Sequence, residues 1–382
     1  MKRILILSQL LPLKNHNGGS TQIRNLISAT RQRGHDIDFV SFDLPFSENN
    51  SLDEVNTFLE NNTDEHLIIP FIGMGSREPS RKGMLAYFSN EMDNLCKTLS
   101  SREYDAVFAE FMSMGRYLKH FEKPMKFMNI HELNLLKELR EAYSNYNLKD
   151  KLYLFYSAFS ILREELRLSK EADVILSYNE IEVEILKCLV RDKDIIHIPI
   201  TIETPARTAP LEKREYDFVF IGNFDHKPNR DAAEFILKNT KRIIGNSSVL
   251  IGGKNTEIIK KGAESIENIQ FEEGIEEPSD FLQKGKILLA PIFTGGGSRV
   301  KIIEAMANGN IIITTPIGSE GLYKNEKEGL ITLSKEEFLN GKAIDILNNL
   351  KNYSHLIEFN RKNVESFHTI TESIRIRELY LL

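Results

Sequence analysis

The stretch Thr294-Gly-Gly-Gly-Ser-Arg-Val-Lys-Ile-Ile-Glu-Ala-Met-Ala-Asn-Gly309 places three consecutive glycines between an apolar segment and a helical pattern. Residues 287–293 before it predict the end of a buried strand, and apolar residues then recur at helical spacing. Glycines at a strand-to-helix turn let backbone N–H groups approach an anion, and the helix N-terminus adds positive potential. The stretch therefore predicts a phosphate-binding turn. The alternative is a glycine-rich turn before a solvated helix.

Three charged side chains follow the glycines. Arg299 and Lys301 lie in the first predicted turn of the helix, where cations oppose the helix dipole. A bound phosphate or diphosphate would offset that cost. Glu304 lies three residues after Lys301 on the same side of the helix, where a carboxylate can accept hydrogen bonds from sugar hydroxyls.

Length and composition indicate a two-domain globular protein. The chain has 382 residues, more than one hydrophobic core usually holds. Its hydrophobic content of 41% and charged content of 27% are ordinary for soluble proteins. The net charge of -6 argues against a nucleic-acid partner. Two cysteines, Cys96 and Cys188, cannot form a disulfide framework and favour a reducing compartment.

The chain shows no membrane-targeting pattern. Residues 1–8 start with basic side chains, but their apolar run is too short for a signal peptide and predicts a buried strand. No apolar run reaches transmembrane length. We therefore expect a cytoplasmic protein, with at most peripheral contact at the inner face of the membrane. Residues 153–159 are aromatic-rich and predict helix core, and they are also the best candidate for lipid or acceptor contact.

Strand and helix patterns alternate along both halves of the chain, which predicts parallel sheets with crossover helices. The predicted strands are residues 4–7, 36–41, 106–109, 126–130, 218–221, 248–251, 268–271, 287–291 and 311–314, and a helix-to-strand step is predicted over residues 170–177. Prolines 199, 205 and 210 punctuate an inter-domain linker, residues 201–215. We predict an α/β fold of two doubly wound domains, with a ligand cleft between them at the carboxyl ends of the strands.

Several motifs together resemble those of retaining glycosyltransferases of the GT-B architecture, in the family 4 group (glycosyl transferases group 1), triple-glycine branch. Each motif is weak by itself, and their order and spacing carry the resemblance. They are residues 17–24, 34–40, 171–177, 220–231, 295–309 and 314–318.

The resemblance implies two Rossmann-like domains facing a central cleft. Residues 1–200 would bind the acceptor and residues 216–364 the nucleotide sugar, while the last helix, 365–382, would pack back on the first domain. The implied activity is metal-independent, retaining transfer of a hexosyl or N-acetylhexosaminyl group from a UDP-, GDP- or other nucleotide diphosphate sugar. A glycan, lipid-linked glycan or glycoprotein would supply the acceptor hydroxyl, as in surface polysaccharide, glycolipid or glycoprotein glycan synthesis. No cofactor and no metal are expected.

The resemblance also implies roles for individual residues. His131 would contact the donor sugar near the reacting carbon, and Glu304 would bind the ribose hydroxyls. Arg299 and Lys301 complete the catalytic candidates. The donor-binding candidates are Gly18, Gly19, Gly222, Asn223, Gly274, Ile275, Gly295, Gly296, Gly297, Ser298, Arg299, Lys301 and Glu304. Glu110 and Glu132 are candidates for acceptor binding.

Two positions depart from the family pattern. Gly296 stands where a Glu-x7-Glu pair would begin, so only the second acid, Glu304, is present. Asn223 stands where an arginine is frequent, and Arg299 and Lys301 are expected to take over the diphosphate. These departures leave two alternatives open: a nucleotide-sugar epimerase or hydrolase of the same fold, and a non-catalytic partner subunit of a glycosyltransferase.

Overall fold

The computed structural model divides the chain into two compact units. The first comprises Met1–Thr201, Gly296–Ser298 and Ile370–Leu382, and the second comprises Ile202–Gly295 and Arg299–Thr369. The residues that the structure describes are 1–14, 18–43, 49–71, 87–144, 147–261, 263 and 266–380. The predicted loop at His16 and Asn17 falls outside them. The domain bounds and binding roles expected from the sequence stay a prediction.

The first unit is built on a parallel sheet of seven described strands in the order β3-β2-β1-β4-β5-β6-β7. These strands are β1 (Arg3–Ser8), β2 (Asp36–Asp43), β3 (Glu65–Pro70), β4 (Ala106–Glu110), β5 (Met125–Ile130), β6 (Val174–Ser177) and β7 (Asp194–His197). Its helices are α1 (Gly18–Gln32), α2 (Asn49–Asn62), α3 (Asn90–Leu99), α4 (Asn134–Ser144), α5 (Leu148–Ser169) and α6 (Glu180–Leu189), with a 3-10 helix at Met112–His120.

The second unit repeats the plan with six described parallel strands in the order β10-β9-β8-β11-β12-β13. These are β8 (Tyr216–Asn223), β9 (Val249–Lys254), β10 (Ile269–Glu273), β11 (Gly285–Ala290), β12 (Ile311–Thr314) and β13 (Ile331–Thr332). Its α-helices are α7 (Lys227–Lys238), α8 (Thr240–Ile243), α9 (Glu257–Lys260), α10 (Pro278–Leu282), α11 (Val300–Ala307), α12 (Lys324–Lys327), α13 (Lys335–Leu339), α14 (Lys342–Asn348) and α15 (His355–Phe367). Short 3-10 helices lie at Leu211–Lys213 and Leu350–Tyr353, and α16 (Ile370–Glu378) belongs to the first unit.

Each sheet reverses its winding direction once. In the first, the chain runs outward from β1 to β3 and then in the other direction from β4 to β7, so that Ser8 and Glu110 are paired at the carboxyl ends of β1 and β4. In the second sheet, the winding direction reverses between the neighbouring strands β8 and β11. Right-handed crossovers then place helices on both faces of each sheet. The predicted pair of doubly wound parallel sheets is confirmed, and each reversal marks the edge where such sheets bind ligands.

Helix α16 returns the chain to the first unit and packs against α1. Ile374 is buried there, and Arg377 donates from Nη2 to Tyr178 Oη at 3.5 Å. The Tyr380 ring meets the Phe127 ring edge to face. Leu379, directly after the end of the helix, is exposed and does not contribute to this packing.

Helix α5 has an apolar face that no described part of the chain covers. The exposed large side chains on and beside it are 44–83% exposed: Tyr143, Leu148, Leu152, Tyr153, Phe155, Tyr156 and Phe159. The opposite face, with Ala158, Ile161 and Leu168, is buried in the core of the first unit. Among the described helices, none is both long and apolar enough to cross a membrane.

Arg214 ties together three segments of the second unit. Its buried guanidinium donates from Nε to Ala209 O at 3.0 Å, from Nη1 to Gly285 O at 2.9 Å and from Nη2 to Asn308 O at 2.8 Å. Burial lowers the pKa of this group to about 10. One side chain therefore joins three segments by hydrogen bonds: the linker, the start of β11 and the end of α11.

We predict that Arg214→Met lowers the free energy of unfolding by about 3 kcal/mol, because it leaves buried carbonyl groups without their donor while keeping most of the apolar stem. Chemical denaturation followed by circular dichroism measures the change. Lys213→Ala, one residue earlier and exposed, is the matched control and should stay within about 0.5 kcal/mol of the parent chain. Equal stability of the two variants would contradict this role of Arg214.

Candidate functional site

The triple-glycine stretch forms the turn between β11 and α11. Gly295 has a φ of +98° and Gly297 a φ of +72°, values that residues with a Cβ rarely adopt. A Cβ on Gly295 would also lie 2.9 Å from Cγ of Pro228. Arg299 is the N-cap residue of α11, one position before the helix begins at Val300, whereas the sequence pattern predicted it within the first turn.

Arg299 and Lys301 both make hydrogen bonds to protein oxygens. Arg299 is buried and donates from Nη2 to Ile317 O at 2.9 Å. Lys301 Nζ donates to Ile221 O at 2.9 Å and to Asn229 Oδ1 at 2.6 Å, and it lies 4.7 Å from the centre of the Phe220 ring. These contacts hold the ammonium group beside the carboxyl end of β8.

Burial shifts the pKa values of two side chains of α11 to near neutral pH. It lowers the pKa of Lys301 to about 7, and the nearby charge of Arg299 acts in the same direction. It raises the pKa of Glu304 to about 7, against the opposing effect of Lys301. Perturbed pKa values of this kind cluster at functional sites. An anion bound nearby would favour the charged form of Lys301.

The carboxyl ends of β8 and β9 approach closely beside Lys301. A Cβ on Gly253 would lie 1.8 Å from Gly222 O, so this position requires glycine. Asn229 Nδ2 donates to Asn223 O at 2.8 Å, while its Oδ1 accepts from Lys301. Asn229 thus joins the predicted residues Asn223 and Lys301, although the sequence did not mark it as a site residue.

The remaining predicted donor-binding residues lie in two other places. Gly274 follows β10 with a φ of +69°, and its N–H donates to Gly253 O at 3.3 Å; Ile275 is the next residue. Gly18 and Gly19 form the first turn of α1 in the first unit. The residues before them are not described, so the loop predicted around those two glycines stays a prediction.

His131 follows β5 in the first unit and belongs to a buried polar cluster. Its Nε2 lies 2.9 Å from Glu110 Oε2, and its ring stacks on Phe111 at 3.8 Å between ring centres. Phe111 has a φ of +76°, which is rare for a residue with a large side chain. Asn129 Nδ2 donates to Glu110 Oε2 at 2.9 Å and to Tyr178 Oη at 3.0 Å.

Burial in this cluster raises the pKa of Tyr178 to about 12, so its hydroxyl stays protonated near neutral pH. Glu110 is 0% exposed. Oε2 of Glu110 accepts from Asn129 and lies beside His131 Nε2. Glu132 is partly exposed and pairs with Lys137 at 3.1 Å. The acceptor contacts expected for Glu110 and Glu132 stay a prediction.

Ser298 and its neighbours Gly296 and Gly297 cluster with the first unit. The backbone of Gly297 is hydrogen-bonded to the side chains of Asn179 and Glu182 there. Sequence reasoning missed both of these residues. The signal was present in Asn179-Glu-Ile-Glu182, an N-cap residue followed three positions later by glutamate at the start of α6.

Within the described ranges, no group of three or more His, Cys, Asp or Glu side chains is arranged to hold a metal ion. Asp36 and Asp38 alternate along β2 and do not form such a group. Asp38 instead accepts from Arg3, Arg102 and Tyr104.

Comparison with known proteins places these features in a family context. Residues 215–349 match the family model described as "Glycosyl transferases group 1". A protein of Klebsiella pneumoniae, described as an uncharacterized 44.6 kDa protein in the cps region, is 23% identical over 379 residues, covering 94% of this chain and 93% of its own.

Solved structures match the fold of the whole chain. Anabaena HepE in complex with UDP and glucose superposes with a TM-score of 0.70 at 10% identity, covering 100% of this chain and 99% of its own. S. aureus TarM gives 0.69 at 12% identity, with 100% and 98% covered. The pneumococcal O-GlcNAc transferase GtfA, in complex with UDP and GlcNAc, gives 0.66 at 10% identity, with 100% and 98% covered. The chain therefore has the GT-B fold of these glycosyltransferases, and residues 215–349 of its second unit match the glycosyl transferases group 1 model.

Proposed function

We propose that this chain is a retaining, metal-independent glycosyltransferase that moves a sugar from a nucleotide diphosphate sugar to an acceptor hydroxyl. The observation that carries the proposal is the coincidence, in residues 215–349, of the family match with the glycine turn and the charged side chains of Arg299, Lys301 and Glu304. UDP is the nucleotide to test first, because the HepE and GtfA structures contain it.

In the proposed site, the diphosphate contacts Arg299 and Lys301 at the start of α11, while Glu304 accepts hydrogen bonds from the ribose. Cations at a helix N-terminus stabilise the negative charge that develops on a leaving diphosphate. The acceptor oxygen attacks the anomeric carbon on the same face from which the diphosphate leaves, and the new bond forms as the bond to the phosphate oxygen breaks, so the configuration is kept. The acceptor proton passes to the departing phosphate, so no strong protein base is required.

His131 is proposed to contact the donor sugar near the reacting carbon. Glu110 is proposed as the residue that orients the His131 ring, since the carboxylate is fully buried and lies 2.9 Å from Nε2. Phe111 fixes the plane of the same ring by stacking. Placement of this kind matters because small errors in geometry at the reacting centre are costly in rate.

The acceptor is proposed to be a glycan or lipid-linked glycan of a surface polysaccharide. The support is the similarity to a protein of a cps region. A TarM structure with fondaparinux and alpha-GlcNAc-glycerol and the GtfA structure with GlcNAc give saccharides to include among the first test compounds.

The decisive experiment is a screen of UDP- and GDP-sugars for nucleotide release and product formation, with and without EDTA. Turnover should persist in EDTA, and NMR of the product should show that the anomeric configuration of the donor is kept. Inverted products would overturn the retaining mechanism. Activity lost in EDTA and restored by magnesium or manganese would overturn metal independence.

We predict that UDP binding takes up protons above about pH 7. Lys301 is then largely neutral in the empty site, and an anion favours its charged ammonium form. Calorimetric titration in two buffers of different ionisation enthalpy measures the uptake. Lys301→Met should reduce it and weaken UDP binding about tenfold or more.

Lys284→Met is the matched control for that titration, because Lys284 lies in the same unit and pairs with Glu272. It should bind UDP and take up protons like the parent chain. Unchanged binding in Lys301→Met would show that the diphosphate lies elsewhere.

We predict opposite kinetic signatures for His131 and Glu304. His131→Ala should lower kcat about 100-fold with little change in donor affinity, because charge develops near it in the transition state. Glu304→Ala should mainly weaken donor affinity, because the ribose changes little during reaction. Donor titrations and initial rates at saturating donor separate the two effects, and His120→Ala, a histidine paired with Asp93, is the control.

Normal turnover in His131→Ala would mean that the reacting carbon lies elsewhere. A Glu304→Ala variant that binds UDP normally but does not turn over would move Glu304 from ribose binding to the chemistry.

We also propose peripheral membrane contact through the exposed face of α5. Half of the exposed large apolar side chains in the described chain, seven of fourteen, lie between Tyr143 and Phe159. Tyrosines contribute to this face, and they favour the boundary between lipid and water. Lys149, Lys151 and Arg163 on the same helix can attract anionic headgroups.

We predict that the chain sediments with vesicles of phosphatidylcholine and phosphatidylglycerol, and that Tyr156→Ser/Phe159→Ser lowers the bound fraction about tenfold. Ile258→Ser, a single exposed apolar residue of the second unit, is the control and should leave binding unchanged. Equal binding of the double variant and the parent chain would overturn this contact.

A further inference from the structure

Both the N–H and the carbonyl oxygen of Gly297 form hydrogen bonds to side chains of the first unit. Its N–H donates to Glu182 Oε1 at 3.2 Å, and its carbonyl oxygen accepts from Asn179 Nδ2 at 3.0 Å. We call these two side chains and the Gly297 backbone the Gly297 clasp. All three residues are buried, so water does not compete for these bonds.

The orientation of Asn179 follows from its position at the start of α6. Its Oδ1 accepts from the N–H groups of Ile181 and Glu182, which would otherwise lack partners in the first turn. Because the oxygen is committed to the helix, the amide nitrogen faces away from it and donates to Gly297. The N-cap thus determines which end of the amide reaches the glycine.

Glu182 lies in the same first turn, with both carboxylate oxygens used. Oε1 accepts from Gly297, Oε2 accepts from Ser177 Oγ at 3.2 Å, and the backbone N–H of Leu133 is a further donor. Burial raises the pKa of this carboxyl to about 7, whereas the donors around it favour the ionised form. The acceptor-only form is the one that matches these donors.

Steric contacts restrict Gly297 further. Its φ is +72°, and a Cβ there would lie 2.9 Å from His131 O and 3.1 Å from Cβ of Glu132. The clasp therefore holds the glycine peptide next to the segment that carries His131.

We propose that Asn179 and Glu182 are positioning residues that hold the glycine turn in its productive conformation through the Gly297 clasp. The proposal rests on the proposed transferase function, because the turn matters for turnover only if it binds the donor diphosphate. It assigns a role to two residues outside the predicted donor and acceptor sites. Neither side chain is proposed to touch the substrate.

A competing role for Glu182 would be that of a carboxylate standing in for a phosphate at the Gly297 N–H. The two roles predict opposite results. Loss of a positioning residue loosens the turn and slows catalysis. Loss of a stand-in anion opens the site and tightens UDP binding.

The test uses Asn179→Ser and Glu182→Ala. Serine is a good N-cap residue, so it preserves the start of α6, but it is too short to reach Gly297. Hydrogen–deuterium exchange of the peptide spanning residues 294–299 should speed up about tenfold in both variants, the effect of losing one hydrogen bond. With an active donor, kcat should fall about tenfold while UDP affinity changes less than about threefold.

Glu184→Ala is the matched control, because Glu184 lies on the same helix with its side chain 68% exposed. It should leave both exchange and kcat unchanged. Glu182→Gln keeps one acceptor oxygen for the Gly297 N–H and should restore part of the protection and of kcat. Thermal melting separates loosening of the turn from unfolding of the unit.

Unchanged exchange at residues 294–299 in both variants would overturn the clasp, and so would tighter UDP binding in Glu182→Ala. The exchange measurement needs no substrate. If the parent chain transfers no sugar from any donor, the proposed function fails while the exchange result still decides whether the clasp exists.

Discussion

The polar cluster around His131 and the groups around Lys301 depend on the same constraint. It is the parallel pairing of the two strands between which each sheet reverses its winding direction. In the first sheet Ser8 is paired with Glu110, and in the second Leu288 is paired with Val219. At such a reversal, the connections that follow the two strands run to opposite sides. The crossover helices therefore leave a crevice at the carboxyl ends of these strands. Glu110 lies at that edge of the first sheet, and Gly222 ends β8 at the corresponding edge of the second.

The sequence predicted the strands that are buried on both faces and the edge strand β10, but it left out the edge strands β3, β7 and β13. Parallel central strands such as β1 and β11 are continuous apolar runs, which are recognisable without knowledge of their neighbours. Strand β3 lies at a margin of the first sheet with a half-exposed, mixed pattern, and β13, with two residues, lies at a margin of the second. Edge strands of this kind carry little periodic signal, because only part of their surface is buried.

The side-chain networks were the least predictable part of the candidate site. The position of His131 after a strand follows from local pattern, but its pairing with Glu110 requires β4 and β5 to be neighbours in register. Asn129 and Tyr178 join the same cluster from β5 and from the end of β6. Contacts across strands depend on topology, so a burial such as that of Glu110 cannot be deduced from the residues around it.

The three glycines of the turn differ in how far they tolerate a side chain. This difference bears on position 296, where the family pattern has a glutamate and this chain has glycine. Gly295 and Gly297 have backbone conformations or close contacts that exclude a side chain, whereas a Cβ on Gly296 would meet nothing nearer than Glu182 Oε1 at 3.9 Å. Space alone therefore does not explain the glycine at 296. A glutamate there would start beside the buried carboxyl of Glu182, whose pKa burial already raises to about 7. A second carboxylate so close would repel the first and weaken its bond to the Gly297 N–H. A chain with Glu182 in this place therefore does not favour a second acid at position 296, and this chain has Glu182 with glycine at 296.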